Sequence, residues 1–232
     1  MSFRSNRIPL MLVVGALLGG TLAGCKIATR VQRRADLGLA KLSFLRWNST
    51  GTRPKVCDQA LACSLDLLKL SNEQLDQLIQ RGQGPTPETM NGPWLGINKG
   101  CAAACVGWIQ DIKVFQTANG CRSGYNVAVH QVPISRLECD GWEPKTKLLT
   151  DEPKTIGKFG VVEPNCTCQP LKLDYTQAGN PCYDPSHVLV DDLVLIQENL
   201  VLGKASAMIA GKKIGVAYFV LIKPHDSCCD SQ

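Results

Sequence analysis

Three runs near the C-terminal end of the 232-residue chain constrain its fold more than any other feature. Residues 187–197, 200–209 and 213–223 are apolar and rich in β-branched side chains, a composition typical of strands. Glu198-Asn199 and Ala210-Gly211-Lys212 lie between them as tight turns. The three runs therefore predict an antiparallel meander at the end of the chain.

A second β-rich block lies earlier in the sequence. Residues 107–116 and 125–132 have strand composition, and the loop between them contains Asn119-Gly120, the strongest short signal for a hairpin. The Pro-, Cys- and Gly-rich chain between the two blocks holds short strand candidates near residues 157–162 and 169–175. The predicted fold class is mainly β. We expect an antiparallel sheet that curls on itself or closes into a barrel, since closure hides the edge strands.

A short helical segment is expected before the β domain. Residues 54–70 are compatible with a helix, and Ser71-Asn72-Glu73-Gln74 is a capping-box pattern. The apolar residues that follow share one helical face, so the sequence predicts a helix over 71–81 that ends at Gly82. The Pro- and Gly-rich residues 83–91 are predicted to be a linker.

The N-terminus has the pattern of an export signal. Arg4 and Arg7 precede an apolar stretch over residues 8–18, which is too short to span a bilayer. Leu22-Ala23-Gly24-Cys25 resembles the bacterial lipobox. That resemblance implies that Cys25 is acylated, that the leader is removed, and that the protein is anchored to a membrane of the cell envelope. Lys26 differs from the Asp associated with inner-membrane retention, so the analogy favours the outer membrane or the periplasmic face.

Two other interpretations of the leader stay open: an ordinary cleaved signal with an unmodified Cys25, and an uncleaved anchor.

The predicted organisation along the chain follows from these features. It consists of a signal peptide (1–24), a basic and partly helical tether (25–53), a helical segment (54–82), a linker (83–91), an antiparallel β domain (92–224) and a tail (225–232).

The basic residues are concentrated before the β domain. Residues 1–60 carry ten basic and two acidic groups, whereas the whole chain has a net charge of only +5 at pH 7. The rest of the chain is therefore acidic, which argues against a nucleic-acid partner, because such a partner needs a basic patch on the folded domain. The basic tether is either attracted to anionic lipid head groups or is a soluble linker.

A second resemblance lies at the start of the β domain. Gly92-Pro93-Trp94-Leu95-Gly96 is similar to the Gly-X-Trp-X-Gly motif that opens some lipocalin-like (calycin) barrels, and Leu173-Asp174-Tyr175 is similar to their Thr-Asp-Tyr turn without the Thr. The resemblance implies a lipocalin-like barrel in which Trp94 plugs one end. The C-terminal Arg that covers this Trp in the family is absent, so Lys212 or Lys223 would have to replace it. The alternative is a core Trp beside turn glycines.

Such a barrel is expected to bind an apolar small molecule or a lipid in its interior. The candidate binding residues are Trp94, Tyr218 and His130. His130 alternates with apolar neighbours and is therefore expected to point towards solvent or a cavity. Small side chains at inward positions leave room for a ligand; they are Ala205, Ala207 and Ala217.

The chain has twelve cysteines, of which eleven remain if Cys25 is acylated. In an exported protein these are expected to form disulfides that hold the fold together, and the odd number leaves one thiol over. We expect Cys57 to bridge Cys63 or a cysteine of the β domain. The disulfide candidates are Cys57, Cys63, Cys101, Cys105, Cys121, Cys139, Cys166, Cys168, Cys182, Cys228 and Cys229. None has the paired Cys-X2-Cys spacing of a zinc ribbon, so neither a metal nor another cofactor is expected.

Searches for catalytic motifs find no nucleophile elbow, no zinc-protease motif and no phosphate-binding loop. Asp191 and Asp192 are adjacent in a predicted strand, so they should face opposite sides and not share a site. The protein is therefore not expected to be an enzyme. Two functions stay open: a lipid-anchored envelope protein that binds a ligand in its barrel, and a structural envelope protein with a solid barrel that binds another envelope protein.

Overall fold

The computed structural model describes residues 56–99, 108–118, 121–138, 141–147, 150–164 and 169–224. The predicted signal peptide, Cys25, the tether and the tail lie outside these residues, as do seven of the disulfide candidates: Cys101, Cys105, Cys139, Cys166, Cys168, Cys228 and Cys229. No helix in the described ranges has both the length and the apolar character needed to cross a bilayer.

The described residues form two α-helices followed by ten strands. The helices are α1 (Asp58–Lys69) and α2 (Asn72–Arg81). The strands are β1 (Gly92–Lys99), β2 (Gln110–Ala118), β3 (Cys121–Ala128), β4 (Thr146–Lys147), β5 (Thr150–Pro153), β6 (Thr155–Val162), β7 (Leu171–Asp174), β8 (Leu189–Gln197), β9 (Leu200–Ile209) and β10 (Lys212–Ile222).

Eight of the strands close into an antiparallel barrel. Their order is β1, β2, β3, β6, β7, β8, β9 and β10, and β10 pairs back onto β1. Among the described strands, each barrel strand therefore lies beside the barrel strands that precede and follow it in the chain, and β4 and β5 form a separate two-stranded sheet. The prediction of a mainly β, antiparallel barrel preceded by a short helical segment is confirmed.

The predicted C-terminal meander is formed by β8, β9 and β10. Two-residue turns join the strands, and in the second turn Ala210 and Gly211 have φ angles of 48° and 75°. Two consecutive positive φ angles are typical of the turns that match the twist of a hairpin. The first strand starts at Leu189 and not at residue 187, because residues 185–188 form a 3-10 turn in which the Asp184 carboxylate accepts a hydrogen bond from the backbone N–H of Ser186.

Both faces of the barrel wall are covered. Along β10, Tyr218, Val220 and Ile222 pack with the helices in an outer cluster, whereas Phe219 and Leu221 pack in an inner cluster inside the barrel. This alternation follows from the two-residue period of a strand. Because the helices cover part of the outer face, the outward side chains at the end of β10 are apolar as well as the inward ones.

The helix α2 begins at the predicted capping box. The Ser71 side chain accepts a hydrogen bond from the backbone N–H of Gln74, and the Gln74 side chain accepts one from the backbone N–H of Ser71. Leu75 and Ile79 are buried against the barrel. The Lys204 ammonium on β9 pairs with Asp76, which ties α2 to the wall at its polar edge.

Two glycines make room for aromatic rings in the barrel interior. A Cβ atom on Gly203 would lie 2.2 Å from the ring of Phe219, and one on Gly124 would lie 2.4 Å from the ring of Phe159. Real Cβ atoms do not approach so closely, so both rings lie directly over bare backbone. The rings fill the middle of the barrel, and Phe159 also packs against Phe115 at a centroid distance of 5.2 Å.

Trp94 lies fully buried at the end of the barrel where β1 begins. Its indole N–H donates to the backbone oxygen of Met90 at 2.9 Å, and the Lys223 ammonium lies 5.7 Å from its ring centroid. Lys223, and not Lys212, therefore takes the position over the ring. Met90 is also fully buried, so residues 83–91 cover this end of the barrel, which we call the closed end.

The expected disulfide at Cys57 is wrong in the described structure. Cys57 and Cys63 are free thiols, and so is Cys121 at the start of β3. Cys57 is the N-cap of α1 and Cys63 lies six residues further along it. Six residues of helix span about 9 Å, beyond the roughly 7 Å that a disulfide allows between two Cα atoms.

Candidate functional site

A cluster of polar side chains lies inside the barrel, and it extends from Lys113, whose Cα atom is paired with that of Trp94 across β1 and β2, towards the end where β1 finishes and β2 begins. Lys113 on β2 points inwards with a side chain only 6% exposed, so its ammonium is surrounded by protein. The Nζ atom lies 4.9 Å from the ring centroid of Phe219 and 5.4 Å from that of Tyr175. Aromatic faces attract a cation, which partly compensates for its lost hydration.

Hydrogen bonds connect this lysine to three strands of the wall. Lys113 Nζ donates to Oδ1 of Asn126 at 3.0 Å and to the hydroxyl of Tyr175 at 2.7 Å. The Tyr175 hydroxyl in turn donates to Oδ2 of Asp191 at 3.1 Å. Asn126 donates its amide to the backbone oxygen of Gly157, whose φ of 54° places it in a conformation that favours glycine. The cluster therefore links β2, β3, β6 and β8 with Tyr175, the residue that follows β7.

Two buried carboxylates share this one lysine. Lys113 Nζ lies 3.5 Å from Asp191 Oδ2 and 3.8 Å from Asp111 Oδ2, and both carboxylates are less than a tenth exposed. Asp111 also accepts a hydrogen bond from the Asn98 amide at 2.9 Å. If all three groups are ionised, the cluster has one negative charge more than it has positive charges.

The pKa values of the cluster reflect this crowding. Burial acts to lower the pKa of Lys113, but the nearby Tyr175, Asp191 and Asp111 outweigh it and raise that pKa above its usual value. Burial raises the pKa of Asp191, and the attraction of Lys113 only partly offsets it. Burial likewise raises the pKa of Tyr175. Lys113 is therefore a permanent cation at neutral pH and Tyr175 a neutral hydrogen-bond donor.

One acceptor in the cluster has no partner. Oδ1 of Asp191 is buried and accepts no hydrogen bond among the described residues. A buried carboxylate oxygen without a donor is costly, and such atoms call for an explanation in each structure.

The cluster forms the wall of a cavity of about 50 Å³. Four of the lining residues are only half-buried, namely Asn98, Trp108, Ile156 and Leu189, so the cavity opens to solvent at this end. The other lining residues are Asp111, Lys113, Asn126, Tyr175, Ser186, Asp191, Ala205 and Phe219. We call this end of the barrel the open end. The space holds on the order of three or four water-sized groups.

The three residues predicted to line a binding site do not come together. Trp94 is inside the barrel but at the closed end. Tyr218 is on the outer face, where its hydroxyl donates to the backbone oxygen of Asn72. His130 is exposed just beyond the end of β3. Of the predicted small inward residues, Ala205 lines the cavity.

Sequence reasoning missed Lys113, Asp111 and Asn126, although the signal was present in outline. Asp111 and Lys113 alternate with Ile112 and Val114, which is the pattern of a strand with one polar and one apolar face. The polar face of such a strand normally faces solvent. Here it faces the barrel interior, and the apolar face packs in the outer cluster.

The expectation for the two adjacent aspartates is confirmed. Asp191 points into the barrel, whereas Asp192 points outwards and pairs with Lys213. The two carboxylates lie on opposite sides of the wall and do not form one site.

Taken together, the fold and the cluster define a closed eight-strand antiparallel barrel with one apolar end and one polar, open end. No known protein family matches the chain, and no curated protein matches it. Among solved structures, the chain is similar to the crystal structure of a protein from Thermomonospora curvata. The two share 14% sequence identity with a TM-score of 0.43, over 72% of this chain and 99% of that chain.

Proposed function

We propose that the protein is a lipid-anchored binding protein of the bacterial cell envelope, and that it binds a small polar molecule at the open end of its barrel. It acts by binding and not as an enzyme. The cavity beside Lys113 and Asp191 is the observation on which the binding half depends. Anchoring depends on the lipobox at Cys25 and places the protein on the outer membrane or the periplasmic face.

The size of the cavity is the reason for proposing a small polar ligand and not the apolar molecule or lipid expected from the sequence. Sites for drug-sized molecules usually enclose about 300–1,000 Å³. The interior of this barrel leaves about 50 Å³, because Phe115, Phe159 and Phe219 fill its middle. The walls of the remaining space carry amide, hydroxyl and carboxylate groups. A lipid chain would gain nothing from these groups and would leave them without hydrogen bonds.

A structural envelope protein is the second candidate. The packing of the closed end around Trp94 and Met90 favours it, because a barrel filled in this way serves as a rigid scaffold. The exposed thiol of Cys121 offers a group for crosslinking to another envelope protein. Non-reducing gels of native envelopes should then show a high-mass adduct that disappears on reduction.

The anchoring half is tested by labelling with palmitate in the natural host. The wild-type protein should incorporate the label and fractionate with membranes, and a Cys25→Ser variant should do neither. Equal fractionation of the two proteins, with no label in either, would remove the lipid anchor from the proposal.

The binding half is tested by mass spectrometry of the protein purified from its own membrane. Small molecules released on denaturation should include one that is present in stoichiometric amount. An Ala205→Leu variant, which fills the cavity, should lose it, whereas Ala62→Leu on the exposed side of α1 should keep it. If the wild-type protein and both variants release the same molecules, the open end is not a binding site.

A further inference from the structure

We infer that the ligand of the open end carries a primary ammonium group, which enters the cavity and donates to Oδ1 of Asp191. This inference rests on the binding function proposed above and names the chemical class of the ligand. Two properties of the cluster lead to it: its charge and its count of hydrogen-bond donors.

The charge of the cluster favours a cation. Asp111 and Asp191 are both buried, and Lys113 is the cation that lies within 4 Å of them. Buried charges are stable when they are paired, so in their ionised forms the two carboxylates and the one ammonium lack one positive charge. A protonated amine would supply it.

The hydrogen bonds of the cluster require a donor. Lys113 donates to Asn126 and Tyr175, Tyr175 donates to Asp191, and the Asn98 amide donates to Asp111. The Tyr175 hydroxyl and two of the three Lys113 N–H groups are thus engaged, whereas Oδ1 of Asp191 accepts from none of them. An ammonium group has three donors and no acceptor, which fits a site where acceptors are in excess. A carboxylate or phosphate would instead face the two ionised carboxylates and would be repelled by them.

A divalent cation fits the same place less well than an amine. Calcium and magnesium take six or more oxygen ligands, whereas the Lys113 ammonium already lies within 4 Å of both carboxylates and would repel such an ion. An amine also suits the aromatic lining of the cavity, which consists of the half-buried indole of Trp108 and the buried ring of Phe219. Aromatic faces stabilise an organic ammonium group and its carbon chain.

The test compares three compounds of equal length that differ in charge: n-butylammonium, n-butanol and butyrate. Each is titrated into the full chain, labelled with ¹⁵N at tryptophan and held in lipid nanodiscs. The indole signal of Trp108, assigned with a Trp108→Phe variant, reports binding at the rim. We expect n-butylammonium to shift this signal saturably, with a Kd about tenfold or more below that of the other two compounds.

Two matched variants test the acceptor. Asp191→Asn should raise the Kd of n-butylammonium about tenfold or more, because it removes the charge while keeping the shape of the side chain. Asp192→Asn, one residue away on the outer side of the wall, should leave the Kd unchanged. If Asp191→Asn fails to fold, the comparison of the three compounds on the wild-type protein still tests whether the site prefers an ammonium group.

The outcomes separate the inference from the proposed function. Equal or tighter binding of butanol or butyrate would overturn the ammonium inference and leave a binding site for another class of molecule. A Trp108 signal that no compound shifts would overturn the ammonium inference, and the same result together with no molecule released from the wild-type protein on denaturation would overturn the proposed binding function as well.

Discussion

Lys113 is the residue that holds the polar half of the barrel together. Its ammonium lies close to groups on β2, β3 and β8 and donates to the Tyr175 hydroxyl after β7, and its side chain is only 6% exposed. A lysine in such a place normally loses its charge, because burial disfavours the ionised form. Tyr175 and the two carboxylates reverse that tendency, so the charge of Lys113 and the position of Asp191 depend on each other.

Replacing Lys113 by Met should therefore destabilise the fold strongly. Lys113→Met leaves two buried carboxylates without a counterion, and breaking a buried ion pair costs about 3–5 kcal/mol. Lys213→Met is the matched control, since it breaks an ion pair with Asp192 on the outer surface and should cost less than about 1 kcal/mol. Urea denaturation of both variants measures the difference. Equal losses would mean that the inner cluster is solvated in the native protein.

The stability of the protein should fall as the pH rises above about 10. The pKa values of Lys113 and Tyr175 are raised in the fold from ordinary values of 10.5 and 10.0, so above these values the native protein binds more protons than the unfolded chain. The free energy of unfolding then falls with rising pH, while below both ordinary values this contribution is constant. Lys204 and Tyr218 on the outer face have pKa values raised in the same direction.

A Tyr175→Phe variant isolates the inner cluster from these outer groups. It removes one of the two inner titrating groups and one partner of Lys113, so its stability should fall less between about pH 9 and pH 11 than that of the wild type. Denaturation curves at a series of pH values provide the measurement. A variant that loses as much stability as the wild type would assign the alkaline loss to the outer face.

These residues mark the point where prediction from the sequence stops. The opposite orientation of Asp191 and Asp192 followed from the strand period alone. The sequence did not predict that Asp111, Lys113 and Asp191 face the inside of a barrel, because the polar face of a strand is expected to be exposed to water. Which face lies inside is decided by the closure of β1 onto β10 and by the helices packed outside, and neither is encoded within a single strand.

At the scale of single elements, the barrel strands are adapted to aromatic rings on their neighbours. Gly203 on β9 lies opposite Phe219 on β10, and Gly124 on β3 lies opposite Phe159 on β6. In each pair the ring covers the backbone of the facing strand. A glycine normally weakens a strand. Here the aromatic ring occupies the space that a side chain at the glycine position would otherwise fill.

Gly203→Ala should destabilise the barrel, whereas Gly160→Ala should not. The new Cβ atom at Gly203 would lie 2.2 Å from the Phe219 ring and force it to move, which typically costs about 1–3 kcal/mol. At Gly160 on β6 the nearest atom would be 3.9 Å away, so the variant should be neutral or stabilising by up to about 1 kcal/mol. Thermal denaturation of both variants is the measurement. If Gly203→Ala leaves the thermal stability unchanged, the Phe219 ring can move to another position at no cost in free energy.

At the scale of the whole molecule, the described part of the protein is a barrel with two helices packed on part of its outer face and a separate two-stranded sheet. The strand runs, their turns and the capping box of α2 followed from local patterns, because turn chemistry and periodicity are local properties. The docking of α2 on the barrel could not be predicted from local patterns. It depends on Leu75 and Ile79 meeting the outer cluster and on the pairing of Asp76 with Lys204, which are 128 residues apart in the chain.

The helices and the barrel should therefore unfold together. Leu75 is fully buried between α2 and the barrel, so Leu75→Ala should cost about 2–5 kcal/mol and lower the midpoint of the whole transition. Gln77→Ala on the exposed side of the same helix should change the midpoint little. Helical circular dichroism should report the same midpoint as the fluorescence of buried tryptophans, Trp94 in the barrel and Trp142 in the outer cluster. An earlier loss of the helical signal in Leu75→Ala, with the fluorescence transition unchanged, would show that the barrel is stable without its helical cover.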